Sequence, residues 1–85
     1  MAEHAVGTVS HYYGKLEVAG IELTDELNVG DTIHILGHTS DFSQTVASIQ
    51  IEHEKVDSAK AGDPVAVKVK ERARIHDRVF VVTPD

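Results

Sequence analysis

The side chains best suited to hold a metal ion are His34 and His38, four positions apart in the stretch IHILGH. Two imidazoles at this spacing share one face of a helix or strand and could bind one zinc ion. Gly37 predicts a turn before His38, however, and the glutamate of the helical zinc-protease motif is missing. The chain has no cysteine, which excludes thiolate sites and fits a reducing compartment. We therefore expect solvated histidines, no metal site and no cofactor.

Nucleotide binding and nucleophilic catalysis have weaker signals. The stretch NVGD lacks the second glycine, lysine and hydroxyl residue of a phosphate-binding loop, so a turn with Gly30 at positive φ and Asp31 as its cap is expected. No serine lies in a nucleophile-elbow pattern. The pair Asp25 and Glu26 fits a solvated turn better than an acid–base pair. These patterns predict no catalytic residue and no nucleotide cofactor, and so a protein that is not an enzyme.

A basic run near the end of the chain is the sharpest binding signal. Five of the eight Lys and Arg residues lie between Val67 and Arg78, with only two of the fourteen acidic residues. If a strand continues through this run, the even-numbered cations share its outward face and could meet phosphates or an acidic partner. The alternative is a solvated face balanced by acidic neighbours in a chain of net charge −6. The candidate contact residues are Lys68, Lys70, Arg72, Arg74 and Arg78.

Length and termini predict one small domain that spans residues 1–85. The first residues, MAEHAVGTVS, contain no basic segment followed by a long apolar run, as a secretory signal or membrane anchor would. We expect a cytoplasmic protein without membrane contact.

Alternating apolar and polar residues predict about six strands and no convincing helix. The pattern directs Ile33 and Ile35 inward and His34 outward, and it directs Val65, Val67 and Val69 inward. Glycine, asparagine, aspartate and proline separate these segments. So many strands in so short a chain favour a small closed antiparallel barrel, which has no exposed edges.

The order of the motifs resembles domain 2 of translational GTPases of the elongation factor Tu type. The resemblance rests on the opening GTV, on LNVGDTI, on VASI, on AKAGD and on the closing strand VFVV. It extends to small translation elongation factor-like proteins and to the C-terminal accessory barrel of collagenase-like peptidases. It implies a closed six-stranded antiparallel Greek-key barrel with a non-catalytic role in binding tRNA, ribosomal RNA or a translation-related protein. The alternative is a protein–protein interaction module that acts in trans as the accessory barrel of a larger enzyme.

Overall fold

The structure is a computed structural model that describes residues 2–83, which form ten β-strands and no helix. Six strands have five residues or more, and four have two or three. Residues 2–83 contain no helix with the length and apolarity needed to cross a membrane. The strands are β1 (Ala2–Tyr13), β2 (Val18–Leu23), β3 (Leu27–Asn28), β4 (Thr32–Leu36), β5 (Asp41–Thr45), β6 (Ile49–Ile51), β7 (Glu54–Val56), β8 (Ser58–Ala59), β9 (Pro64–Lys68) and β10 (Arg78–Thr83).

Eight of these strands form one antiparallel sheet in the order β5-β4-β10-β1-β2-β9-β6-β7, and β3 pairs with β8. The all-β class is confirmed, but the predicted closed six-stranded barrel is wrong, since β5 and β7 are edges of an open sheet. The chain leaves the sheet at residues 46–48, between β5 and β6. The structure thus has six long strands and four short ones, where the sequence predicted about six strands.

The side chain of Gln44 spans the seam where a barrel would close. Its Nε2 donates to the carbonyl oxygen of Lys68 at 2.8 Å, and its Oε1 accepts from the backbone N–H of Lys70 at 2.7 Å. The amide group thus satisfies the donor and acceptor that a neighbouring strand would satisfy. One side chain joins β5 to the end of β9 where the backbone ladder does not.

The core confirms the predicted alternation. Ile33 and Ile35 are completely buried on β4, whereas His34 between them is half-buried. Val65, Val67 and Val69 point inward as expected. Together the 18 buried apolar residues form one cluster, against which Tyr12, Ile51 and Val56 pack.

Three four-residue turns share one hydrogen-bonding pattern: NVGD at 28–31, KAGD at 60–63 and RIHD at 74–77. In each, the backbone N–H of the aspartate donates to the first residue's carbonyl, and an Oδ2 of the aspartate accepts from the first residue's N–H. The third residue has positive φ, with values of 97°, 92° and 79°. The predicted turn at Gly30 and Asp31 is confirmed, and His76 occupies the position that glycine holds in the other two.

A bulge in β1 changes which side chains face outward. The pairing with β2 runs from Val9 opposite Ile21 to His11 opposite Gly20, so Ser10 is the extra residue. A bulge shifts the alternation of the strand that carries it. As a result His11 and Tyr13 are exposed, while Val9 and Tyr12 face the core.

Candidate functional site

A groove of about 410 Å³ lies over strands β1, β2, β9 and β6. Its floor is a row of cross-strand neighbours, because Gly20 pairs with Ala66 and Ala66 pairs with Gln50. Two of the three are the smallest residues available, so the floor is low relative to the residues around it. The lining residues are Ser10, His11, Tyr13, Leu16, Val18, Gly20, Ile21, Gln50, Glu52, His53, Pro64, Val65 and Ala66.

One wall of the groove is aromatic and apolar. The rings of His11 and Tyr13 stack with centroids 6.1 Å apart and planes 10° from parallel. Leu16, in the turn between β1 and β2, is 67% exposed, and Tyr13 is 49% exposed. Large apolar side chains that surround a concave surface and remain in water are typical of binding sites.

The opposite rim is the two-residue turn between β6 and β7. Ile51 pairs with Glu54, so Glu52 and His53 form the turn, and their φ values are 51° and 68°. Such hairpin turns favour Asn-Gly because both central residues adopt positive φ. A Glu-His pair is strained in this turn, and strained backbone concentrates at functional sites.

Three of the five basic residues predicted from the sequence lie on a loop, and the other two are the strand residues at its ends. Strand β9 ends at Lys68, and residues 69–77 are irregular until β10 begins at Arg78. The expectation of a continuous strand with a ladder of positive charge is therefore wrong. All five cations are nevertheless exposed on the segment that connects the two strands: Lys68, Lys70, Arg72, Arg74 and Arg78.

Backbone hydrogen bonds and the side chain of Gln44 fix this basic loop, residues 68–78, to other parts of the chain. The N–H of Val69 donates to the carbonyl of Glu17 at 2.9 Å, and the N–H of His76 donates to the carbonyl of Val9 at 2.8 Å. Gln44 holds Lys70, as described above, and the guanidinium of Arg72 lies 5.9 Å from the ring centroid of Tyr12, within range of a cation–π interaction. The loop thus presents its cations from a fixed backbone.

His34 and His38 do not come together. The ring of His34 lies between two carboxylates, with Nδ1 3.0 Å from Oε1 of Glu3 and Nε2 2.5 Å from Oδ1 of Asp41. The hydrogen bond to Asp41 and then that to Glu3 raise the pKa of His34 above its ordinary value of 6.5, against a smaller opposing effect of burial. Within residues 2–83 no group of three or more His, Asp or Glu side chains has the arrangement to hold a metal ion.

Sequence reasoning missed the groove. Its local signals were Gly20 in the middle of a strand and the adjacent tyrosines Tyr12 and Tyr13, since an interior strand glycine marks a bulge or a close approach of another backbone. The decisive facts are cross-strand, because Gly20, Ala66 and Gln50 become neighbours only through the pairing of three strands.

No family model matches the chain. It is 42% identical over 78 residues to an uncharacterised protease of Methanocaldococcus jannaschii, a match that covers 91% of this chain and 19% of that protein. It is also 35% identical over 77 residues to a collagenase of Porphyromonas gingivalis, covering 88% of this chain and 21% of the relative. The chain is homologous to a segment of these proteins and spans about one fifth of their length.

Two solved structures share the fold. Both are of the C-terminal domain of a Geobacillus thermoleovorans protein assigned to the U32 peptidases. The first superposes with a TM-score of 0.85 at 22% identity, covering 89% of this chain and 96% of that one. The chain has the fold of a U32 peptidase C-terminal domain. The second gives a TM-score of 0.88 at 21% identity, covering 93% and 92%.

These similarities correct the translation-factor interpretation. The part of the resemblance that pointed to the accessory domain of collagenase-like peptidases is supported, whereas the likeness to domain 2 of elongation factor Tu is not confirmed. The prediction of an RNA-binding, translation elongation factor-like protein is wrong. The turn and core motifs that carried it are requirements of tight turns between strands, and such motifs do not identify a ligand.

Proposed function

We propose that this chain is a non-catalytic accessory domain that binds the remaining part of a larger U32-type enzyme. The observation that carries the proposal is the 42% identity over 91% of the chain to a protein of which the matched segment is only 19%. A segment that keeps its own core and covers a fifth of such a relative is suited to an accessory role. The contacts of His34 agree with a non-catalytic role. Both of its ring nitrogens are hydrogen-bonded to carboxylates and so are engaged within the chain.

The contact that we propose is the basic loop, residues 68–78. Five exposed cations are concentrated there, while twelve of the fourteen acidic residues lie elsewhere in the chain. An acidic surface on the larger part of the enzyme would complement this loop and would be attracted to it over about 10 Å at moderate salt. The fixed backbone of the loop lowers the entropy cost of binding.

The test uses the Methanocaldococcus jannaschii relative with its matched segment deleted. Titration calorimetry measures whether this chain binds the truncated protein, with the relative's own excised segment as the positive control. The double variant Lys70→Glu with Arg74→Glu should weaken binding at least about tenfold, and added salt should weaken binding of the native chain. Arg72 is left unchanged because it also contacts Tyr12.

A matched double variant, Lys55→Glu with Lys60→Glu, makes the same change in net charge at two exposed lysines outside the basic loop. It should bind about as tightly as the native chain. The proposal fails if the relative's own segment binds and this chain does not, or if both charge reversals weaken binding equally.

A further inference from the structure

The middle of the outer face over β2 and β9 is apolar where it should meet water, and the charged Glu22 and Lys68 lie at its ends. In a sheet with one face on the core, side chains that point away from the core are usually polar. Here the outward positions next to Gly20 and Ala66 include Val18 and Pro64, and the exposed Tyr13 and Leu16 stand beside them. The face is therefore suited to cover by an apolar group.

The floor of the groove is low at Gly20, because the neighbouring bulge of β1 leaves little room for a side chain there. A Cβ atom built at Gly20 would lie 3.3 Å from Cβ of His11 and 3.6 Å from Oγ of Ser10, so even a methyl group would begin to fill this position. The φ of Gly20 is not positive, so the backbone there does not require glycine. The bulge of β1 at Ser10 accounts for this glycine, and the low floor that results allows a ligand backbone to approach the sheet closely.

The charge of the groove indicates the sign of its ligand. Glu52 is the only Asp, Glu, Lys or Arg among the lining residues. Glu22 follows on the same face, paired with Pro64. Lys68 at the other end of β9 also lies on this face, opposite Val18, so Glu22 and Lys68 offset each other and Glu52 gives the lining its net negative charge. A positively charged group is complementary to this rim.

We propose that the groove binds an extended, basic peptide segment. The peptide backbone lies over Gly20 and Ala66, an apolar side chain fits between Tyr13 and Leu16, and a Lys or Arg side chain meets Glu52. This inference goes beyond the proposed accessory role and does not rest on docking by the basic loop.

The test uses the purified 85-residue chain alone, so its outcome is independent of the docking experiment. The probe is a short labelled peptide, acetylated and amidated at its ends, in which Val and Phe alternate with Arg. Fluorescence anisotropy measures the affinity, and NMR maps the backbone amides that shift. We expect saturable binding, with the largest shifts at Gly20 and Ala66, and binding at least about tenfold weaker for the same peptide with Glu in place of Arg.

Two variants at positions of similar exposure distinguish peptide binding at the groove from non-specific apolar binding. Leu16→Ser removes an apolar side chain that is 67% exposed at the groove, and Ile75→Ser removes one that is 55% exposed in the basic loop. Because both are exposed turn residues, the fold tolerates both changes. Leu16→Ser should weaken peptide binding roughly five- to tenfold, in line with the loss of one buried leucine side chain. Ile75→Ser should leave the affinity within about twofold.

A third variant, Ala66→Leu, fills the floor from an outward position and should abolish the shifts at Gly20. The proposal is overturned if the Arg peptide gives no saturable shifts at the groove up to about 1 mM, if Ile75→Ser weakens binding as much as Leu16→Ser, or if the Glu peptide binds equally well.

Discussion

Nε2 of His34 lies 2.5 Å from Oδ1 of Asp41, and its other ring nitrogen lies 3.0 Å from a carboxylate oxygen of Glu3. The ring belongs to β4, Asp41 begins the edge strand β5, and Glu3 lies near the start of β1. Only the imidazolium form can donate to both carboxylates at once. In its cationic form the ring therefore ties the edge strand and the first strand to the middle of the sheet.

The stability of the fold should fall as the pH rises through the pKa of His34. The pKa is raised in the folded state, so the stabilisation is fully present below about 6.5 and is lost as the folded protein deprotonates above that value. The carboxyl side chains of Glu3 and Asp41 are 42% and 74% exposed, and water screens both ion pairs. We expect about 0.5 kcal/mol for each pair.

Urea unfolding at about pH 6 and about pH 9 checks this expectation. His34→Gln should lower the free energy of unfolding more at the lower pH than at the higher one. His38→Gln is the control, because His38 is exposed and takes no part in the contacts of His34 with Glu3 and Asp41. An equal effect of His34→Gln at both pH values would contradict the ionic role of the ring.

His76→Gly should stabilise the protein by about 0.5 to 1 kcal/mol, because His76 has a φ of 79° in a turn whose counterparts are Gly30 and Gly62. His76→Ala keeps the Cβ atom and should give no such gain. The reciprocal change, Gly30→Ala, should cost a similar amount, since a Cβ atom there meets nothing within 4 Å and only the conformational cost remains. Thermal unfolding of the three variants measures the differences, and a destabilised His76→Gly would refute the equivalence of the turns.

Gln44→Ala should destabilise the fold by about 1 kcal/mol, because two hydrogen bonds from the Gln44 side chain to the backbone are lost and water replaces them in part. Gln44→Glu should not restore stability, since a carboxylate cannot donate to the carbonyl of Lys68. Ser43→Ala, at the exposed neighbouring position of β5, is the matched control and should change the free energy of unfolding little. Hydrogen exchange at the Lys70 amide provides a local readout and should accelerate in Gln44→Ala but not in Ser43→Ala, whereas the carboxylate of Gln44→Glu still offers this amide an acceptor.

Replacing Glu52 and His53 by Asn and Gly should stabilise the fold and at the same time lower the affinity of the groove for the basic peptide. Asn-Gly suits a turn with two positive φ angles, and we expect a gain of about 1 kcal/mol, or a rise of about 4 to 8 °C in Tm. The same change removes the carboxylate that the basic peptide would meet. Calorimetry and peptide titration on this variant measure both effects, and a more stable variant with undiminished peptide affinity would remove Glu52 from the binding site.

The sequence predicted the features that depend on neighbours along the chain. The inward direction of Ile33 and Ile35 follows from alternation, and the turn at Gly30 follows from the conformational freedom of glycine. The polar stretch RARIHD predicts a break between strands, but not a turn of the same kind, because His76 stands where glycine would be the signal. Side-chain geometry across the sheet was also out of reach: Gln44 bonds to residues 24 and 26 positions away, and no local pattern marks those partners.

The amide of Gln44 also has a consequence for variation in chain length. A backbone ladder that closed the sheet would fix the stagger of every strand around a barrel, and a one-residue slip would turn side chains to the wrong face. A single side chain imposes no such register on the residues that follow Lys70. Insertions at the exposed residues between Lys70 and Ala73 lengthen a surface loop at small entropic cost. This short stretch of the basic loop is thus the part that can gain or lose residues, and so change partners, while Ala73 stays in the core.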